Sequence, residues 1–370
     1  MTSSLPAEAP RSVAILGTGL IGASVALAAS RAGISVRGWD RDPQVAAQAA
    51  STGALRAAPT LREACAGAEL VVVATPIASV GPTVVDALRA APEAVVTDAA
   101  SIKASVVRDV RAAASPREMS RFVPGHPMGG SERSGPEHAS ASLVDAIVWV
   151  VAPTEATDPA ACGLVEAFAG ALGARAVRLT PERHDRLVAF VSHLPQVAST
   201  TLMGLAATEE ADEPDLLLLA AGGFRDLTRL ASSNPTLWSE ILLANDLRVA
   251  EAIDLFIARL RTLRDAIAER HGEEVERTFD EAKRARLRLA TKPKVRSGVA
   301  VLQTLIPDEP GALARITALL GEAGVNIEDL QIVHSPEGGR GTLHLTVAAA
   351  SVDDAWETLA SHGYDPLRLA

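Results

Sequence analysis

Cysteine is nearly missing from this chain. Only Cys65 and Cys162 occur among 370 residues, far apart and without CxxC or metal-ligand spacing, which rules out a disulfide framework and leaves no cysteine-built metal site. Aromatic residues are scarce too, 3% with one tyrosine, so the packing must be aliphatic and helical rather than that of a β-sandwich. Positive charge is in deficit. The 35 Lys and Arg face 45 Asp and Glu, a net charge of −10, the wrong sign for a general nucleic-acid binder. Residues 283–296 are the exception, with seven basic side chains and no acid; no aromatic interleaves with them, so the segment reads as a solvated helix end running into a linker. The charge-free run Ser12–Ser30 is marginal as a membrane span, is punctuated by glycines, and no second span follows. Met1 to Pro10 lacks the basic-then-apolar order of a signal peptide, so the expectation is a soluble, cytoplasmic protein.

What is present begins with Val13-Ala14-Ile15-Leu16-Gly17-Thr18-Gly19-Leu20-Ile21-Gly22, an apolar strand entering GxGxxG and a small-residue helix, Ala23 to Ala32. A second strand, Ser35 to Trp39, leads to Asp40. In that context Gly17, Gly19 and Gly22, with Leu20 and Ile21 in the same turn, let the backbone approach a pyrophosphate at the helix N-terminus. Asp40 suits the ribose hydroxyls of NAD and repels the extra phosphate of NADP, while Arg37 and Arg41 nearby keep NADP possible.

Strands are expected at 12–17, 35–40, 70–74, 94–98, 121–124 and 146–151, alternating with helices as in a parallel sheet covered on both faces; a helix at 160–172 and a strand at 175–179 finish this α/β domain, 1–179. Long helical patterns then take over: 181–208, 213–221, 225–231, 235–270 and 273–289. Leu187–Leu205 and Leu237–Leu260 are apolar around most of their circumference, which predicts an all-α dimerisation domain, 180–290, buried in a homodimer. Residues 291–298 have linker composition. The last unit, 299–370, reads strand, helix, strand, strand, helix, a small α+β ferredoxin-like module.

Several residues carry chemistry. Thr75 and Pro76 leave a strand on the cofactor side, or form an ordinary strand-ending turn. Ser101 can cap the next helix, bond a substrate hydroxyl, or do both. His126 follows the next strand and should meet Ser101 in one crevice, where neutral imidazole can accept a hydroxyl proton. Asp226 and Arg229 stand three apart and can form a plain surface ion pair. His184 and His193, nine apart, should face opposite ways on one helix and share no metal; no metal is expected.

Taken in order, Gly17–Gly22, Ala74-Thr75-Pro76, Thr97-Asp98 to Lys103, Gly125 to Gly135, Ser192-His193-Leu194-Pro195 and Gly222 to Arg229 resemble the prephenate/arogenate dehydrogenase family, and residues 307–330 resemble an ACT domain. The resemblance implies NAD-dependent oxidative decarboxylation of prephenate to 4-hydroxyphenylpyruvate, or of arogenate to tyrosine. It implies that His126 draws the proton from the ring hydroxyl with Ser101 as partner, and that Arg229 grips a carboxylate. It places Glu132 at the site entrance, His193 near the substrate side chain, Trp238 as a wall, and Asp226 beside Arg229. Thr18, Ala23 and Gly129 depart from the commoner residues, which bears on loop detail only. In the ACT-like module Gly311 permits close approach of an effector carboxylate and Asn326 meets its amino group; tyrosine is the implied effector, then phenylalanine. A non-catalytic NAD/amino-acid sensor would not need Ser101, His126, His193 and Arg229, and hydroxyacid or imine dehydrogenases that use a helical-domain lysine find none between Lys103 and Lys283.

Overall fold

Uninterrupted apolar strands need cover on both faces, and this chain supplies it with helices. The computed structural model describes residues 9–129, 133–290, 299–334 and 340–369; Glu132 and the linker 291–298 lie outside these. Two compact units divide at Arg259/Leu260.

The first unit opens with β1 (Ser12–Leu16), α1 (Leu20–Arg31), β2 (Ser35–Trp39), α2 (Pro43–Ser51), β3 (Arg56–Ala57), α3 (Leu61–Cys65), β4 (Leu70–Val73), α4 (Ile77–Ala90), β5 (Val95–Asp98), α5 (Ala104–Ala113), α6 (Pro116–Ser120) and β6 (Phe122–Val123). The six strands form one parallel sheet in the order β3-β2-β1-β4-β5-β6. The order reverses between β1 and β4, so the carboxyl ends of those strands open a ligand crevice. Alternate residues of one strand serve opposite cores: Val13, Ile15, Leu70 and Val72 pack with α1, whereas Leu16, Val71 and Val73 pack with Val84 of α4.

Pro124 has no N–H to extend the ladder, and the parallel sheet ends at Val123. The strands expected at 146–151 and 175–179 instead join a second sheet, made of β7 (Gly125–Pro127), β8 (Val148–Val151) and β9 (Arg175–Arg178), with α7 (Pro159–Ala171) connecting the last two. His126 therefore sits inside a short strand, paired opposite Val150.

Helices follow: α8 (Pro181–Val188), α9 (Leu194–Glu209), α10 (Gly222–Thr228), α11 (Pro235–Ala244) and α12 (Asp246–Ala268). The continuous helix expected over 181–208 is interrupted by a π turn, Ala189–His193, just before Pro195, whose missing N–H breaks the regular i to i−4 ladder. Residues 213–221 keep only a 3₁₀ turn at Leu217–Leu219, and the helix expected over 235–270 divides at Asn245, which leaves helical geometry at φ −120° and ψ 30°.

The second unit contains α13 (Gly272–Ala290), β10 (Val299–Pro307), α14 (Ala312–Glu322), β11 (Ile327–His334), β12 (Arg340–Ala348), α15 (Val352–Ser361) and β13 (Leu367–Leu369). Its sheet is antiparallel in the order β11-β12-β10-β13. The three-residue β13 was not expected; it is too short for a period-two signal and pairs with Val301–Gln303. Leu302, Ile316, Leu320, Leu345 and Leu359 are fully enclosed in this core. Among the described residues no helix is long and apolar enough to cross a membrane.

Candidate active site

The turn after β1 is shaped by contact at two of its glycines and by openness at the third. A Cβ on Gly17, which has φ +89°, would lie 2.6 Å from the Ala74 carbonyl oxygen, and one on Gly22 would lie 1.9 Å from that of Gly17. These positions let β4 and α1 pack against the turn. Gly19 has nothing within 4 Å of its virtual Cβ and caps α1 with no side chain, so the first amides of the helix are left to a ligand. Asp40 is anchored beside them: its Oδ2 accepts from the Thr18 N–H at 2.8 Å and its Oδ1 from the Asp42 N–H at 3.0 Å. Thr75 Oγ1 is buried without a partner among the described residues, and Pro76, exposed, is the N-cap of α4. An open Gly19, free helix amides and an orphaned hydroxyl at the β4 end fit a bound dinucleotide. Arg37 donates to the Glu63 carbonyl at 3.0 Å, which commits it to α3 rather than to a 2′-phosphate.

Next along the sheet edge, β5 and β7 are clamped together. Lys103, fully buried, pairs with the Asp98 carboxylate and donates to the Gly125 carbonyl at 2.5 Å, while Asp98 Oδ1 accepts the Gly125 N–H at 3.2 Å. Burial pushes Asp98 above and Lys103 below their ordinary values, and their attraction opposes both shifts. A Cβ at Gly125 would stand 2.7 Å from Thr97 Oγ1 and 2.8 Å from the Asp98 carbonyl oxygen, so the clamp closes only on glycine.

His126 then faces α8. Its Nδ1 lies 2.8 Å from His184 Nε2, and His184 Nδ1 lies 2.8 Å from Asp185 Oδ1. Asp185 also accepts the backbone N–H groups of Lys103 and Ala104, each at 2.8 Å. It therefore caps α5 from another helix: α5 starts at Ala104, and Ser101 neither caps it nor forms any side-chain hydrogen bond among the described residues. Burial holds His126 well below its ordinary value, helped by His184, Lys103 and His193; burial also lowers His184 against the pull of Asp185.

The π turn interrupts the regular helix between His184 and His193; both rings are buried, and His184 bears on the ionisation of His193. The opposite facing expected for them holds only for a regular helix. Burial lowers His193 to about 4. Its Nδ1 lies 3.2 Å from Asn245 Nδ2, which also donates to the Asp185 carbonyl at 2.9 Å; the shared amide is a donor, so His193 Nδ1 accepts and Nε2 carries the proton. That Nε2 is buried with no partner among the described residues. Trp238 meets the His193 ring edge-on at 6.1 Å between centroids. Arg229 and Asp226 are exposed and, among the described residues, make no ion pair with each other.

Sequence reasoning weighed His184 only as a metal ligand and passed over Asp185 and Asn245. The adjacent His-Asp pair after Thr180-Pro181 was a visible signal, whereas Asn245 became legible only with the helix break it occupies. In the second unit, Gly311 (φ +87°) lines a cleft with Pro307, Glu309, Leu313 and Ile332; Asn326 does not line it and instead donates to Glu328 at 2.9 Å.

A dinucleotide cradle and a neutral histidine at the same end of a doubly wound sheet, followed by a helical domain, define a dinucleotide-dependent dehydrogenase. The profile of the prephenate dehydrogenase nucleotide-binding domain matches residues 25–178, that of the prephenate dehydrogenase dimerization domain 180–281, and that of the ACT domain 300–359. The chain belongs to the prephenate dehydrogenase family. It is 30% identical to prephenate dehydrogenase of Bacillus subtilis over 90% of this chain and 91% of that one. Prephenate dehydrogenase from A. aeolicus, solved with hydroxyphenyl propionate and NAD+, superposes with a TM-score of 0.69 at 29% identity, covering 75% of this chain and 98% of that one. Synechocystis arogenate dehydrogenase gives a TM-score of 0.66 at 29% identity, covering 75% and 99%.

Proposed function

We propose that this chain catalyses the NAD-dependent oxidative decarboxylation of prephenate to 4-hydroxyphenylpyruvate, and that the observation carrying this reading is the neutral His126 with Nε2 free of any partner among the described residues. NAD, when bound, supplies the hydride acceptor. His126 Nε2 takes the ring hydroxyl proton as hydride leaves the same carbon. The electrons of the departing carboxylate then restore the aromatic ring as carbon dioxide leaves, and the proton returns to the phenolate oxygen. Ser101 holds that oxygen, and Arg229, with Asp226 beside it, receives a substrate carboxylate as a bidentate fork. Trp238 forms the wall. Because aromatisation drives the decarboxylation, the protein need only orient the substrate, move one proton and exclude water.

His193 favours prephenate over arogenate. A neutral Nε2–H donor, fixed by Asn245 behind it, complements the keto oxygen of a pyruvyl side chain and has no lone pair for an ammonium group. In cofactor choice, Asp40 at the glycine turn and the commitment of Arg37 to α3 support NAD over NADP. The Gly311 cleft is the site for tyrosine, then phenylalanine, as feedback inhibitor, and the helical domain joins two copies in a soluble cytoplasmic homodimer.

Initial rates with prephenate and arogenate, each with NAD and NADP, with and without tyrosine, test this reading. NADH and carbon dioxide should form with prephenate and NAD, suppressed by tyrosine; inertness toward both acids would overturn the assignment. His126→Asn should lower kcat on the order of 10²-fold or more with little change in KM, whereas Arg229→Ala should act mainly on KM.

A further inference from the structure

The hydrogen-bond chain behind His126 has a direction that the geometry fixes. Asp185 receives two backbone N–H groups and a ring nitrogen, so at His184 Nδ1 it can only accept. His184 is buried and held below its ordinary value, hence neutral, so its single proton lies on Nδ1 and its Nε2 offers a lone pair. The atom 2.8 Å from that lone pair, His126 Nδ1, must then be the donor. A neutral imidazole with its proton on Nδ1 has its basic pair on Nε2.

We infer that His184, backed by Asp185, is the positioning residue that fixes the tautomer and ring orientation of His126. This rests on the reading of His126 as the proton acceptor. A His126 ring carrying its proton on Nε2 would present a donor to the substrate hydroxyl and could not remove its proton. Asp185 extends the effect, because the same carboxylate caps α5, the helix that follows Ser101. One carboxylate therefore sets both the tautomer of the base and the start of the element beside its partner. Nothing else among the described residues competes for His126 Nδ1.

His184→Leu removes the acceptor and His184→Gln returns one through its side-chain carbonyl. In full-length protein with prephenate and NAD, His184→Leu should lose on the order of 10²-fold in kcat, with KM changed by about twofold or less. His184→Gln should recover about tenfold of that loss. A purely packing role predicts the reverse, since Leu suits a buried site better than Gln. A folded His184→Leu enzyme with parental kcat would overturn the inference. Independently of activity, long-range ¹H–¹⁵N spectra of the parent protein, with the His126 ring assigned by its disappearance in His126→Asn, should show Nδ1 protonated and Nε2 bare at neutral pH. The opposite tautomer would refute the inference even if the enzyme turned over, and the expected tautomer in an inert protein would instead count against the function proposed for the site.

Discussion

Three histidines, His126, His184 and His193, are held neutral by burial where the unfolded chain would let them titrate at about pH 6.5. Their folded-state values are depressed, so the unfolded state binds more protons as the pH falls. Stability is therefore complete above about pH 6.5 and is lost on the way down, with His193 reaching its folded value at about 4. Each pH unit inside that window costs about 1.4 kcal/mol per such group. Denaturant midpoints taken from pH 7.5 down to 4.5 should fall along this course, and a His193→Asn protein should show a shallower decline. A curve flat across the window would show that the rings do not stay neutral. For the same reason kcat/KM should keep its neutral-pH value below pH 6.5, because His126 remains a base there; an acid limb centred at an unperturbed imidazole value would contradict its burial.

Where β5, α5 and β7 join, a charge pair does a structural task that a single side chain cannot. Lys103 and Asp98 are both fully enclosed, and together with the Gly125 backbone they tie the strand carrying His126 to the parallel sheet. Removing one partner leaves a buried charge alone, a loss of about 3–5 kcal/mol. Lys103→Met should therefore lower the melting temperature by roughly 10 °C, while Lys103→Met combined with Asp98→Asn should recover part of it. A single variant that melts like the parent would contradict the ionic clamp. This junction also shows what was legible beforehand. Gly17 to Gly22 and Asp40 announce themselves because local geometry demands their residue types, whereas Ser101 and His126 stand out through the family resemblance. The clamp, the Asp185 cap and the His184 contact join residues far apart in sequence, Lys103 and Asp185 for example, and no periodicity encodes them. Likewise, the π turn at Ala189–His193 removes the unbroken 3.6-residue period on which the helical-wheel argument for His184 and His193 was built.

Across the whole chain, the apolar periodicity that predicted burial of the helical domain has its counterpart in exposed leucines. Leu243 and Leu247 are each 73% exposed and Leu255 is 58% exposed, on α11 and α12, while the sheet domain, built by the same aliphatic composition, buries the whole of β4 and nearly all of β1 and β5. A chain with a net charge of −10 gains solubility from its charge but does not hide such a surface by it. Covering these side chains with their equivalents on a second copy removes them from water, and a twofold arrangement lets one patch serve both subunits. Light scattering should give twice the chain mass for the parent protein. Leu247→Glu combined with Leu255→Glu places charges where apolar contact is required and should yield the single-chain mass with secondary structure retained. If the double variant remained a dimer, the α12 face would be a solvent surface and the pairing would have to be sought elsewhere on the helical domain.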